Sequence, residues 1–195
     1  MKKKLKKLTA FMVSATMVFP IFGEYPSGTF KLGWDSSFSA SAVEDLSPAE
    51  EITVTIDTGE SVTLNDNDND GYYDIGTADE LYAFASIVNN SNTAINVELT
   101  TDITVNDNVL DENGELNSDN SDNFRVWTPI GNYSNKYKGT FEGNSKTISG
   151  LYFDDFEGSY VGLFGLIKGA EIRNIGIIDS YFKGLNYVSS ICGYK

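Results

Sequence analysis

The chain has 195 residues and a formal net charge of −14, with no histidine and a single cysteine. The missing histidine removes the usual general base, the Ser-His-Asp and Cys-His arrangements and the HExxH zinc site, and one cysteine permits neither an internal disulfide nor a thiolate zinc site. Charge is unevenly spread: residues 43–124 hold 20 acidic side chains and no Lys or Arg, whereas residues 125–195 hold 6 acidic and 8 basic ones, a balance that repels nucleic acid and anionic lipid, attracts cations and equally serves plain solubility.

Lys2, Lys3, Lys4, Lys6 and Lys7 precede an uncharged, mostly apolar stretch from Leu8 to Gly23. Pro20 and Gly23 break it too early for a membrane span, so residues 1–42 read as a secretory signal peptide, with a small-x-small site at Ala40-Ser41-Ala42. An uncleaved anchor is the alternative. Cleavage leaves a chain from Val43 with a net charge of −18, long enough for one domain with a real core. A secreted, cysteine-poor chain with a Lys-rich leader suits a Gram-positive-type bacterium and its cell surface.

Residues 43–70 are expected to form an N-terminal β-hairpin and an acidic loop. Ile52, Val54 and Ile56 alternate on one face, Thr58-Gly59-Glu60 turns the chain, and Ser61–Leu64 returns. The loop Asp66-Asn-Asp-Asn-Asp-Gly-Tyr-Tyr-Asp74 places Asp66, Asp68, Asp70 and Asp74 at the first, third, fifth and ninth places of a calcium loop. Gly71 takes the sixth place and the Tyr72 carbonyl the seventh. Alternate residues of a tight loop converge on one point, as a hard cation bound by oxygen requires. The twelfth place is Thr77 in place of glutamate, with Asp79 or Glu80 as substitutes. A structural calcium ion bound by Asp66, Asp68, Asp70, Tyr72 and Asp74 is one expectation; a solvated acidic turn is the other.

Residues 71–106 are expected to cap the domain, with a helix at 77–89. Thr77 and Glu80 form a capping box, and Leu81, Phe84, Ala85 and Val88 make one apolar stripe. Short strands follow at Ile95–Leu99 and Ile103–Val105, and residues 107–123 form a polar loop. The chain re-enters the core at Val126–Ile130.

From residue 124 to 195 the pattern is repetitive. Ile148, Leu151 and Phe153 match Ile172, Ile175 and Ile177 at an offset of 24, whereas Tyr160 matches Tyr187 at 27 and Gly165 matches Gly193 at 28. Repeats of this length, built of short strands and glycine corners, point to stacked coils of a β-solenoid. Ile148, Leu151, Leu163, Ile172, Ile175 and Ile177 should face inward. A twisted sandwich is the competing architecture.

Several short stretches carry a family resemblance: Tyr73–Ala85, Val97–Ile103, Trp127–Gly131, Tyr137–Gly143, Thr147–Leu151, Gly162–Gly165 and Ile172–Gly176. In their order and spacing, the chain from about Gly71 resembles bacterial surface proteins with GLUG-motif repeats. These repeats occur in adhesin-like proteins and in non-catalytic parts of IgA-peptidase-like surface proteins. The resemblance implies a right-handed parallel β-helix with an N-terminal cap, and no catalytic residues. Glu142 stands where the family usually has aspartate, Ser145 and Lys146 replace its glycine and histidine, and Ser189-Ser190 interrupts the next repeat.

The expected function is therefore a non-catalytic, adhesin-like display module that binds a glycan or a host or surface protein. The alternatives are a carbohydrate-active β-helix (polysaccharide lyase or glycoside hydrolase) and the stalk of a larger surface protease. Cleavage would need paired carboxylates, for which Asp154, Asp155, Glu157, Glu171 and Asp179 are the candidates, with Lys168 and Arg173 as cations. Tyr133, Tyr137, Tyr152, Phe153, Phe156, Tyr160, Phe164, Tyr181, Phe182 and Tyr187 divide between inward stacking and an exposed binding strip. The repeat breaks off at Gly193–Lys195 without a polar cap, which suggests further repeats or domains downstream in a longer parent chain.

Overall fold

The computed structural model describes residues 50–195; the signal-peptide reading lies outside the described residues. Ile52–Thr55 (β1) and Ser61–Leu64 (β2) pair antiparallel, as their alternation predicts. The helix runs Ala78–Asn90 (α1), with Thr77 as its N-cap: the Thr77 hydroxyl accepts from the Glu80 amide at 3.2 Å. Glu80 reaches back to the Gly76 amide at 2.8 Å, one residue earlier than a standard box. The predicted stripe is buried, and so are Tyr82, Ala83 and Ile87. Burial exceeds one stripe because the hairpin packs against α1 as well.

Every other strand pairing between named strands is parallel. Tyr73–Ile75 (β3), Val97–Leu99 (β4), Thr140–Ser149 (β6) and Glu171–Ile178 (β10) lie side by side in the order β10-β6-β4-β3, and Ile103–Thr104 (β5) also pairs with β6. Tyr152–Asp154 (β7), Ser159–Val161 (β8) and Phe164–Leu166 (β9) pair in turn with Tyr181–Lys183 (β11), Asn186–Val188 (β12) and Cys192–Tyr194 (β13). The chain thus makes the same four-strand pass twice, each strand on its counterpart. Isolated parallel bridges of Val126 to Tyr152, Ile130 to Phe164 and Tyr137 to Ile167 begin the same path one pass earlier. The described fold is mostly strand with one helix.

The register corrects one sequence alignment. Tyr160 and Tyr187 do belong to superposed strands, but Ile148 lies beside Ile177, not Ile172, and Ile172 lies beside Phe141. The cause is a bulge. Gly143, Asn144 and Ser145 oppose Asn174 alone, with Asn144 at φ 49° and Ser145 at φ 60°. Extra residues in one strand shift all later pairings, which spacing along the sequence does not reveal. The bulge also needs its glycine, since a Cβ on Gly143 would meet the Asn174 carbonyl at 2.3 Å.

The core is filled by apolar residues of the strands and of the corners that lead into them: Ile75, Leu99, Phe141, Ile148 and Phe164 in strands, and Leu151 and Leu163 just before β7 and β9, are fully buried. Each contributes about 1.5–3 kcal/mol of burial. Phe84 of α1 meets Tyr137 edge-on at 5.4 Å, and Tyr137 stacks on Phe164 at 5.4 Å. The polar tips are satisfied: the Tyr137 hydroxyl donates to the Ile95 carbonyl at 3.0 Å, and Trp127 Nε1 to the Gly162 carbonyl at 3.0 Å. Of the six expected inward residues, Ile148, Leu151 and Leu163 are buried; Ile172, Ile175 and Ile177 are only half-buried, because β10 has a partner strand on one side only among the described residues. The polar loop at 107–123 is anchored by fully buried Val109, by a bridge between Leu110 and Leu116, and by Asp179 Oδ1, which accepts from the Leu110 amide at 2.9 Å.

Candidate metal centre

The acidic loop joins β2 to β3. Its tight course uses positive φ at Asn69 (63°) and Gly71 (93°). Asp66, Asp68 and Asp70 each direct a carboxylate oxygen to one region, all within 4.8 Å of one another. Two oxygens bound to one calcium ion at 2.3–2.6 Å lie at most about 5 Å apart, so the spacing fits that ion. Backbone amides hold the carboxylates in place. Asp66 accepts from the Asp70 and Gly71 amides, both at 3.1 Å, and Asp70 accepts from the Tyr72 amide at 2.8 Å. These bonds leave lone pairs on every carboxylate.

The remaining predicted ligands are placed differently. Asp74 turns one oxygen to Asn67, accepting from its amide at 3.0 Å and from its side chain. Thr77 and Glu80 are engaged in the helix cap, and Asp79 pairs with Arg125 at 2.6 Å. Neither acid is therefore held ready for the twelfth place.

Sequence spacing missed Glu98. Parallel pairing puts it directly beside Asp74, Glu142 beside Glu98, and Arg173 beside Glu142. Desolvation, followed by repulsion from Asp70, Asp68 and Asp74, holds the Glu98 carboxyl above the usual glutamate range, against a bond from Asn144. Desolvation and then the Asp70 charge likewise raise Asp68. A signal was present: Tyr73-Asp-Ile75 and Val97-Glu-Leu99 share an apolar-acid-apolar pattern. Along this row, Asn144 donates to Glu98 at 2.8 Å and Asn174 to Glu142 at 2.9 Å. The Asn174 bond, the Asn144 amide and Arg173 together pull Glu142 below its ordinary value.

Four of the five carboxylates considered for glycan cleavage sit in separate local contacts, and Glu157 is exposed. Asp154 pairs with Lys183 at 2.9 Å, Asp155 accepts from the Glu157 amide at 3.0 Å, Glu171 pairs with Arg173 at 2.8 Å, and Asp179 holds the 107–123 loop. Lys168 is exposed, and its amide donates to the Tyr137 carbonyl at 2.7 Å.

The aromatics divide as follows. Tyr137 and Phe164 are core; Tyr152, Phe153, Tyr160, Tyr181 and Phe182 are half-buried; Tyr133, Phe156 and Tyr187 are exposed. Superposed strands stack like on like: Tyr152 on Tyr181 at 6.2 Å, and Tyr160 on Tyr187 at 4.9 Å with planes 1° apart. Rings stacked this way turn their edges outward, so the rows offer hydroxyls and edges more than flat faces.

A stretch of 56 residues, 28% of this chain, is 36% identical to a protein of Evansella cellulosilytica whose name describes it as a Gly-rich membrane protein. The match spans about 6% of that relative. No known family profile matches the chain, and no solved structure matches it. Among the described residues, no helix is long and apolar enough to cross a membrane.

Proposed function

We propose that the chain is a secreted or cell-surface display module of adhesin type, built as a right-handed parallel β-helix with an N-terminal cap, in the manner of the GLUG-repeat surface proteins it resembles. The observation that carries this reading is the repeated four-strand pass, each strand parallel to its counterpart 27–31 residues earlier. Parallel connections of this kind are right-handed almost without exception. Such stacking turns a sequence repeat into outward rows of identical chemistry, suited to holding a glycan or protein ligand at many weak points.

The module is non-catalytic in this reading. A pair of carboxylates for glycoside cleavage must be held free on either side of the substrate, whereas Asp154, Asp155, Glu171 and Asp179 each serve a local contact. Calcium at Asp66, Asp68 and Asp70 has a structural role, neutralising the loop that leads into the cap. The test is a panel of glycans and extracellular proteins, scored for binding and for released reducing or unsaturated sugar. Saturable binding without product is expected. Product formation that Asp154→Asn abolishes would make the protein a carbohydrate-active enzyme instead.

A further inference from the structure

The polar loop at 107–123 contains a tight turn that neither the metal centre nor the display reading uses. Leu110 bridges Leu116 antiparallel. Inside that bridge the Asp111 amide donates to the Glu115 carbonyl at 2.7 Å, and the Gly114 amide to the Asp111 carbonyl at 3.0 Å. The Asp111 carboxylate fills the turn. Its Oδ1 accepts from the Asn113 and Glu115 amides, both at 2.8 Å, and its Oδ2 from the Asn113 side-chain amide at 3.3 Å. The bond from the Glu115 amide, above all, holds this carboxyl below the usual aspartate range, so it is an anion at neutral pH. Residues 111–115 are all exposed. Asn113-Gly114 is the only Asn-Gly pair in the chain. Gly114 lies at φ 77°, and a Cβ built there would meet nothing within 4 Å.

We propose that Asn113 is a site of spontaneous covalent modification: deamidation through a cyclic imide, with water as the co-reactant. The Gly114 backbone nitrogen gives its proton to solvent base and attacks Asn113 Cγ. The new N–Cγ bond forms, the Cγ–Nδ2 bond breaks, and Nδ2 leaves with a solvent proton as ammonia. Water then adds to one carbonyl of the imide, and the released nitrogen takes up a proton. Opening at one carbonyl gives aspartate; opening at the other reroutes the main chain through the side chain and gives isoaspartate. Asparagine is among the thermally labile side chains, and the neighbour on its C-terminal side decides which one reacts. Glycine leaves the attacking nitrogen unshielded, whereas every other asparagine here precedes a residue that bears a side chain. Asn144 is a contrast within the same fold: serine follows it, and its side-chain amide is bound by Glu98 and by the Leu99 carbonyl. Attack at Asn113 first requires the Gly114–Asp111 hydrogen bond to open, a local event at an exposed loop tip that does not need global unfolding. The product alters the turn. A donor to Asp111 becomes a carboxylate facing it, beside Glu112 and Glu115, and isoaspartate also lengthens the chain inside the Leu110–Leu116 bridge. Both loosen the loop that Asp179 holds through the Leu110 amide at 2.9 Å. The inference is independent of the display reading.

Peptide mass spectrometry of the purified, folded protein aged in neutral buffer tests it, with an enzymatic assay for isoaspartate. Loss of the side-chain amide at Asn113, earlier and several times faster than at any other asparagine, is expected, with isoaspartate among the products. Asn113→Gln, whose longer side chain closes the ring poorly, should remove that signal and leave the circular dichroism unchanged. Ageing in urea should speed the conversion, since the turn is then open. An Asn113 that stays intact in the folded protein, or that reacts no faster than Asn120 or Asn144, would overturn the proposal. The consequence has its own readout: Asn113→Asp should speed amide exchange at Leu110 and Asn117 while β6 to β9 exchange as in wild type. Unchanged exchange in the loop would reject the loosening.

Discussion

Arg125 reaches back 68 residues to hold Asp57 through both Nε and Nη2, while its other terminal nitrogen binds Asp79 at 2.6 Å. The same guanidinium lies 3.6 Å over the Tyr82 ring. Arg125 is the first basic residue after Lys31. It joins the hairpin turn and the first turn of α1 to the start of the strand stack, so one cation ties two acidic segments to the strands.

Arg125→Ala should leave Asp57 and Asp79 unpaired and uncover Tyr82, lowering stability by about 1–3 kcal/mol, a range kept modest because both acids are partly exposed. Arg125→Lys should recover less than half of that, since an ammonium supplies neither the fork nor the flat face. Urea unfolding of the three proteins measures this; a lysine variant as stable as wild type would reduce the site to simple charge pairing.

Calcium at ten times its dissociation constant should add about 1.4 kcal/mol of stability. For a domain of this size that raises the melting temperature by roughly 3–6 °C. The gain should persist in about 0.15 M NaCl, which screens diffuse attraction but not coordination. Asp66→Asn with Asp70→Asn should remove it. Equal melting in calcium and in chelator would make the loop an acidic turn only.

The pH profile should fall on both sides. Burial lifts the Tyr82 and Tyr137 hydroxyls well above the tyrosine range. The unfolded chain then releases protons first, so stability declines as pH rises past about 10. On the acid side Asp57, held down by Arg125, and Glu142, held down by Asn174, bind protons later than in the unfolded chain. Their contribution is present above about pH 4 and is lost as pH falls through their depressed values. Asp68 and Glu98 have raised values and act in the opposite sense, so replacing both with their amides should steepen the acid limb.

Depth in the stack should rank core variants. Ile148→Ala removes a fully buried side chain and should cost about 2–5 kcal/mol. Ile175→Ala, on the half-buried last pass, should cost clearly less. Lys183→Asp would set a carboxylate opposite Asp154 in register, at a cost of up to about 1 kcal/mol. Denaturant midpoints give the order, and equal losses at positions 148 and 175 would contradict this difference in burial.

Much of this was legible in the sequence because it rests on local chemistry. The hairpin alternation, the Thr77 cap and the apolar stripe of α1 each follow from residues a few positions apart. The offsets of 27 and 28 also survive, since short strands with single inward residues must superpose on their copies. The offset of 24 did not survive, because the Gly143–Ser145 bulge is invisible to spacing. Glu98 was missed for a related reason: its place beside Asp74 is set by pairing between strands, not by the loop that holds the other acids.

The account stands or falls on parallel stacking of successive passes. The most direct measurement is a set of cross-strand nuclear Overhauser contacts in the isotope-labelled protein. Backbone contacts should join Ile177 with Ile148, Phe182 with Phe153, Val188 with Val161, and Cys192 with Phe164. Contacts that instead join consecutive strands antiparallel, β6 to β7 or β10 to β11, would give a sandwich and contradict the stacked passes on which the display reading rests.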